Sequence, residues 1–153
     1  MYERILVPVD GSDASLAGLS EALALAAEHQ SRLRLVHVVD DLITMPMYEG
    51  AIFAGELIEQ LRKQGRKLLD ECLALCKKKG IAAEAVLLER VGGQAGVLVI
   101  EQVQEWPAEL IVMGTHGRKG LKRIVLGSDA EYVVRHATVP VLLVRAAPEM
   151  GVA

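Results

Sequence analysis

Residues 110–128 read LIVMGTHGRKGLKRIVLGS, and this stretch joins a strand to a helix through a long glycine-rich loop. The apolar run from Leu110 to Met113 predicts a short strand that is buried on both faces and therefore lies inside a sheet. Gly127 and Ser128 predict the start of the next helix. The loop between them is roughly twice the 2–6 residues usual for such a connection, so it calls for a functional explanation.

Outward from this segment, apolar runs of strand length alternate with helical patterns along the chain. Strands are predicted at residues 4–9, 33–39, 82–88, 110–113 and 139–144, and helices at 16–27, 51–79, 97–105 and 128–136. Alternating strands and helices imply right-handed crossovers, which give a parallel sheet with helices on both faces. Pro140 lacks an N–H and so predicts an edge position for the last strand.

The helix predicted over residues 51–79 carries both cysteines of the chain. Its apolar positions predict an inner face formed by Leu57, Leu61, Leu68, Cys72 and Leu75. Cys72 and Cys76 could form a metal or redox pair, or they could be two small apolar residues on one helix face. Side chains on adjacent helical turns are poorly aimed for a disulfide, and no His or Cys stands beside them at ligand spacing. The apolar interpretation is therefore favoured.

Composition and charge argue against several classes of protein. The chain has 153 residues, of which 52% are hydrophobic, which is enough for one core and too many for a disordered chain. We expect a single domain over residues 1–147, followed by a loose tail over 148–153. The formal net charge of −3 argues against nucleic-acid binding, and short apolar runs argue against a membrane protein. Without a recognisable signal peptide, we expect a cytoplasmic location.

The glycine-rich loop has the composition of an anion-binding loop. A parallel sheet binds ligands beyond the carboxyl ends of its strands, where Gly114 and Gly117 would let the backbone approach a ligand closely. Gly127 and Ser128 open a helix whose N–H groups and positive dipole end favour phosphate. Basic side chains add positive potential: Arg118, Lys119, Lys122 and Arg123. A solvated basic loop is the simpler alternative, but the spacing Gly-x2-Gly-x9-Gly-Ser between a strand and a helix favours phosphate binding.

This spacing, Gly114-x2-Gly117-x9-Gly127-Ser128, closely resembles the ATP-binding signature of the universal stress protein family. The runs Ile5-Leu6-Val7-Pro8-Val9-Asp10-Gly11-Ser12 and His37-Val38-Val39-Asp40 resemble the first two strands of the same family. The resemblance implies a Rossmann-like α/β fold, an open five-stranded parallel sheet in the order 3-2-1-4-5 with helices on both faces. It also implies a homodimer paired through the last strand, from Val139 to Val144.

For the site, the resemblance implies that ATP lies across the carboxyl ends of the first and fourth strands. It assigns these residues to the nucleotide: Pro8, Val9, Asp10, Val38, Met113, Gly114, His116, Gly117, Arg118, Gly127, Ser128 and Asp129. The residues before Met113 would border the adenine and ribose, and those from Gly117 onward would surround the phosphates. Mg²⁺ would be held mainly by the phosphates themselves.

Some of these positions have a simpler structural explanation. Asp10 could contact the ribose or the adenine, or it could only close an Asx turn with the residues that follow it. His116 could contact a phosphate or be merely solvated. Asp129 departs from the family pattern, because a carboxylate there would repel a triphosphate unless it points away or holds Mg²⁺.

The function implied by the resemblance is an ATP-binding, nucleotide-responsive regulatory module of the stress response, which acts through a homodimer and an unknown protein partner. One alternative is a slow ATPase or autophosphorylating enzyme with chemistry near Ser128. Another is a dimer scaffold that binds no nucleotide. The sequence has neither the Gly-x4-Gly-Lys-Ser/Thr loop of P-loop enzymes nor the glycine loop of protein kinases, which favours a binding module over an enzyme.

Overall fold

The computed structural model describes residues 1–40, 51–116 and 126–147 of the chain. Its strands are β1 (Arg4–Pro8), β2 (Arg32–Asp40), β3 (Ala83–Arg90), β4 (Leu110–Gly114) and β5 (Val141–Val144). Its helices are α1 (Asp13–His29), α2 (Ala51–Lys78), α3 (Ala95–Glu105) and α4 (Ser128–His136). The strands form one parallel sheet in the order β3-β2-β1-β4-β5, which confirms the predicted α/β topology.

Two hydrophobic cores lie on opposite faces of the sheet, because side chains alternate between the faces along each strand. Helices α1 and α2 cover one face, where Ile5 and Val7 of β1 lie in the core. Helices α3 and α4 cover the other face, where the core includes Leu6 and Ile111. Strand β4 is buried along its whole length, which confirms its predicted position inside the sheet.

The buried stripe of α2 differs from the prediction. Leu69, Cys72 and Cys76 are 4%, 1% and 1% exposed, whereas Leu57 and Leu75 are 41% and 46% exposed. Residues 69, 72 and 76 recur at three- and four-residue steps, as one helix face requires. Leu75 precedes Cys76 by one position and is therefore rotated by about 100° from it around the helix axis. The two cysteines thus pack in the core as small apolar residues, as predicted.

Strand β5 begins at Val141 rather than at the predicted Val139, and it lies at the sheet edge as predicted. The Pro140 carbonyl accepts a hydrogen bond from the Ile111 N–H at 3.0 Å, but Pro140 has no N–H to donate in return. The regular ladder therefore starts one residue later. Among the described residues, no strand pairs with the outer edge of β5.

The turns at the carboxyl edge of the sheet bring helix N-termini to one place. After β1 the chain turns at Gly11, whose φ of +80° favours glycine. Ser12 then caps α1 by accepting a hydrogen bond from the Ser15 N–H at 3.2 Å. At the end of β4, the Thr115 carbonyl accepts a hydrogen bond from the Gly127 N–H at 2.9 Å. The chain therefore returns to β4 directly before α4 begins.

Candidate functional site

A cavity of about 440 Å³ opens at the carboxyl edge of the sheet. This volume lies within the roughly 300–1,000 Å³ typical of small-molecule sites. Every predicted site residue that the structure describes lines it: Pro8, Val9, Asp10, Val38, Met113, Gly114, His116, Gly127, Ser128 and Asp129. Gly117 and Arg118, the remaining predicted site residues, lie outside the described residues.

The chemistry of the lining changes across the cavity. Strand order places β2 and β4 on opposite sides of β1. On the β2 side the lining includes the apolar residues Val38, Val39 and Leu61. On the β4 side it includes His116 and Ser128, beside the N-terminus of α4. The β2 side therefore offers an apolar surface beside the polar side chains of His37, Gln64 and Asp40, and the β4 side offers hydrogen-bond donors.

Asp10 closes an Asx turn, which is the simpler of the two roles that the sequence allowed for this residue. Its Oδ1 accepts a hydrogen bond from the Ser12 N–H at 2.8 Å. The Asp10 N–H donates to Ser15 Oγ at 3.2 Å, and Ser15 Oγ donates to the Ser12 carbonyl at 3.1 Å. The turn therefore fixes the Asp10 carboxylate at the cavity wall. A turn and a ligand contact are compatible in one carboxylate, so the ligand role stays a prediction.

His116 is not simply solvated, although it lies at the start of the long loop. Its Nδ1 shares a hydrogen bond of 2.9 Å with Thr115 Oγ1. Its Nε2 is buried and has no hydrogen-bond partner in the described part of the chain. A buried polar atom without a partner is costly. Because Nε2 is closed to solvent, a polar group of a ligand would reach it only after a local shift of the surrounding atoms.

Packing explains the glycine at position 114, whereas the backbone at position 127 does not require one. A Cβ on Gly114 would lie 2.5 Å from the Ala14 carbonyl carbon and 2.7 Å from the Ser15 nitrogen. Gly114 therefore makes room for the first turn of α1. Gly127 is the N-cap of α4, with φ −60° and ψ 150°, an extended backbone that any residue adopts. It leaves the N-terminus of α4 without a side-chain cap of its own.

Asp129, in the first turn of α4, directs one carboxylate oxygen to the first turn of α3. Its Oδ1 accepts a hydrogen bond from the Gly96 N–H of α3 at 3.0 Å. The N-cap of α3, Gln94, makes no side-chain hydrogen bond to the helix. Asp129 therefore supplies the cap that α3 lacks. Because Asp129 also lines the cavity beside Gly127 and Ser128, this contact does not remove its charge from the predicted phosphate position.

Part of the cavity wall, formed at the ends of β2 and β3, was not predicted from the sequence. Asp40 and Arg90 are register partners and the last residues of these strands. Asp40 Oδ1 accepts a hydrogen bond from the Gly92 N–H at 3.3 Å. Arg90 Nη1 donates to the Gln94 carbonyl at 2.9 Å, and Arg90 Nε donates to the Gly92 carbonyl. The rule that sites lie at the carboxyl ends of parallel strands would have identified both residues.

His37 is a further missed residue, and it lies beneath α2. It is 8% exposed, lines the cavity, and donates from Nδ1 to the Val9 carbonyl at 2.8 Å. A Cβ on Gly65 would lie 2.7 Å from His37 Cδ2, so α2 packs directly on the imidazole. The sequence placed His37 only within the second predicted strand, and nothing local to it indicated a cavity.

Comparison with known proteins gives the family to which this site and fold belong. The family model described as "Universal stress protein family" matches residues 1–145. The chain belongs to the universal stress protein family. It is 36% identical over 148 residues to a universal stress protein of Methanocaldococcus jannaschii, which covers 95% of this chain and 83% of that protein. It is 32% identical over 151 residues to the universal stress protein YxiE of Bacillus subtilis, covering 95% and 100% of the two chains.

Solved structures share the fold of this universal stress protein. A family member from Burkholderia pseudomallei is 36% identical, covers 95% of this chain and 97% of its own, and superimposes with a TM-score of 0.76. A universal stress protein from Archaeoglobus fulgidus, solved in complex with dAMP, is 24% identical, with a TM-score of 0.65 and coverage of 94% and 98%. One from Arabidopsis thaliana, solved with AMP bound, is 15% identical, with a TM-score of 0.68 and coverage of 95% and 92%.

The described residues of this universal stress protein contain no cluster of three or more His, Cys, Asp or Glu side chains that could hold a metal ion. Cys72 and Cys76 are free thiols, and burial raises the pKa of the Cys72 thiol to about 11. Such a thiol is protonated near neutral pH and is a poor nucleophile and metal ligand. Over the same residues, no helix has both the length and the apolar character needed to cross a membrane.

Proposed function

We propose that this universal stress protein binds ATP in the cavity at the carboxyl edge of its sheet and acts as a nucleotide-responsive module of the stress response. The observation that carries the proposal is the cavity itself. It combines an apolar side at β2 with the N-terminus of α4, and both are lined by residues assigned to the nucleotide. A purine and a phosphate chain require these two environments in one site.

The proposed binding mode follows from the lining. The adenine would lie on the β2 side against Val38, and the ribose would lie over β1, within reach of Asp10. The phosphates would lie at Gly127 and Ser128, because the first N–H groups of a helix have no intrahelical acceptor. His116 Nε2, buried without a partner in the described residues, would donate a hydrogen bond to a phosphate oxygen.

The relatives agree with an adenine nucleotide in this fold. The Archaeoglobus protein was solved with dAMP and the Arabidopsis protein with AMP. Both are at most 24% identical to this chain, so the assignment of ATP depends on the cavity of this protein. Mg²⁺ would be held mainly by the phosphates, since the described residues offer no ligand cluster for it.

We infer a regulatory role rather than efficient catalysis. The Methanocaldococcus and Bacillus relatives carry the name universal stress protein rather than the name of an enzyme. Nucleotide occupancy would regulate a partner protein by stabilising one state of a homodimer paired through β5. A cytoplasmic location and a single domain ending near residue 147 stay predictions.

The first experiment is to identify the nucleotide. The purified protein is denatured, the released small molecules are separated by chromatography, and the nucleotide-depleted protein is refolded and titrated with Mg-ATP by calorimetry. Released ATP, or a micromolar dissociation constant (about −8 kcal/mol), would support the proposal. If no nucleotide is released and no ligand binds in calorimetry or in a thermal-shift assay, the scaffold alternative replaces it.

Replacement of Gly127 tests the proposed phosphate position. Gly127→Leu is compatible with the extended backbone at this residue, so its side chain should obstruct the ligand without backbone strain. We expect the dissociation constant for Mg-ATP to rise on the order of tenfold or more, equivalent to about 1.4 kcal/mol. Gly55→Ala is the matched control, because its Cβ would meet nothing within 4 Å. Unchanged binding by Gly127→Leu would remove the phosphates from this position.

A further inference from the structure

The carboxylate of Asp129 joins two helices that meet at the cavity. It belongs to the first turn of α4, yet its Oδ1 accepts a hydrogen bond from Gly96, the second residue of α3, at 3.0 Å. The N-cap residue of α3, Gln94, supplies no side-chain hydrogen bond. An acidic side chain at a helix N-terminus satisfies an orphan N–H and interacts favourably with the helix dipole. Asp129 therefore does for α3 what a local cap usually does.

The first turns of α3 and α4 are also in close steric contact at this point. A Cβ added to Gly96 would lie 2.9 Å from the Asp129 carbonyl oxygen and 3.1 Å from Tyr132 Cβ. Gly96 is buried, so neither helix can shift there without disturbing the other. The hydrogen bond from Asp129 thus fixes the start of α3 at the cavity wall, where Gln94, Ala95 and Gly96 form part of the lining.

Asp129 places a negative charge on the same wall as the proposed phosphate position. It follows Gly127 and Ser128 in sequence, and all three residues line the cavity. The helix N-terminus attracts a phosphate, whereas the carboxylate repels it, and the repulsion grows with the charge on the ligand. A neutral nucleoside would experience neither effect.

We propose that Asp129 is a positioning residue that caps α3 and, through its charge, lowers the affinity of the site for nucleotides in proportion to their phosphate charge. This inference rests on the proposed nucleotide site. The charge of Asp129 would make the site select against triphosphate that carries no metal ion. Mg²⁺ bound to the phosphates would reduce this repulsion by neutralising their charge. The cap and the charge can be separated, because asparagine keeps the acceptor oxygen and loses the charge.

The test compares Asp129→Asn, Asp129→Ala and wild type. Adenosine, AMP, ADP and ATP are titrated by calorimetry, first with EDTA and then with excess Mg²⁺. With EDTA, we expect Asp129→Asn to bind adenosine as wild type does and ATP about threefold to tenfold more tightly, with AMP and ADP between them. Glu131→Gln is the matched control: it removes an equal charge from the same helical turn, but Glu131 pairs with Arg135 at 2.8 Å and is absent from the lining.

The capping role has its own readout, which does not depend on a ligand. Amide hydrogen exchange, measured by NMR, should be on the order of tenfold faster at Gly96 in Asp129→Ala and near wild type in Asp129→Asn. Unchanged exchange at Gly96 in Asp129→Ala would overturn the capping role.

Three binding results would overturn the charge role. One is a weaker affinity of Asp129→Asn for Mg-ATP with unchanged affinity for adenosine, which would make Asp129 a metal ligand. Another is an equal affinity of Asp129→Asn and wild type for all four ligands. A wild-type protein that binds none of the four would overturn the proposed function together with the charge role, which distinguishes that failure from the other two.

Discussion

At the scale of single residues, the glycines around the cavity are constrained in different ways. Gly114 has no room for a side chain, because the backbone of Ala14 lies where its Cβ would be. Gly93 has a φ of +90° and lies against the Arg90 guanidinium, so both conformation and space favour glycine. Gly127 has an ordinary extended backbone. The glycine-rich motif therefore combines a glycine that packing requires, Gly114, with a glycine whose small size leaves room for a ligand, Gly127.

Gly114→Ala should lower the free energy of unfolding by about 1–3 kcal/mol, because β4 or the first turn of α1 must move to admit the methyl group. Gly55→Ala is the control: its added Cβ would meet nothing within 4 Å inside α2, so we expect the free energy of unfolding to stay unchanged or to rise slightly. Urea unfolding followed by circular dichroism gives both values. Equal midpoints for Gly114→Ala and wild type would contradict the packing role.

At the scale of the elements, local signals and long-range contacts differ in how well a sequence reveals them. The start of α4 at Ser128 and the edge position of β5 were predictable, because a cap signal and Pro140 lie within the segments themselves. The hydrogen bond that the Gly96 N–H donates to Asp129 was not predictable, since it joins residues 33 positions apart. The inner face of α2 was predicted correctly at Cys72 but wrongly at Leu57 and Leu75, because burial follows Leu69, Cys72 and Cys76.

Helix α1 depends on a local cap that also contacts His116. Ser12 Oγ accepts from the Ser15 N–H at 3.2 Å and donates to the His116 carbonyl at 3.4 Å. Ser12→Ala should therefore lower the free energy of unfolding by about 1 kcal/mol. Ser20→Ala, an exposed position within α1, should leave it unchanged or slightly raise it. Thermal unfolding measures both, and equal stability of the two variants would argue against the cap.

At the scale of the whole molecule, the parallel sheet explains both the site and the remaining exposed edge. One topology brings the ends of β1, β2, β3 and β4 to the same cavity, which is why a motif in one loop predicted only part of the lining. The same topology leaves β5 at the edge with its outer hydrogen-bonding groups unpaired within the described chain. Unpaired edge strands tend to associate with other strands, which supports the proposed homodimer.

The proposed homodimer predicts a specific response to charge on β5. Leu142 is 36% exposed and lies within this four-residue strand. Leu142→Lys should shift the protein from dimer to monomer, because a lysine on an edge strand opposes strand pairing through repulsion and hydration. Sedimentation velocity at several micromolar concentrations distinguishes the 16.5 kDa chain from its dimer.

Val91→Lys is the matched control for this experiment, since Val91 is 64% exposed and follows β3 at the opposite edge of the sheet. We expect this variant to sediment as wild type does. A wild-type protein that sediments as a monomer at every concentration would remove the homodimer. A Leu142→Lys variant that remains dimeric would instead move the interface away from β5, and nucleotide-dependent pairing would then have to act through another surface.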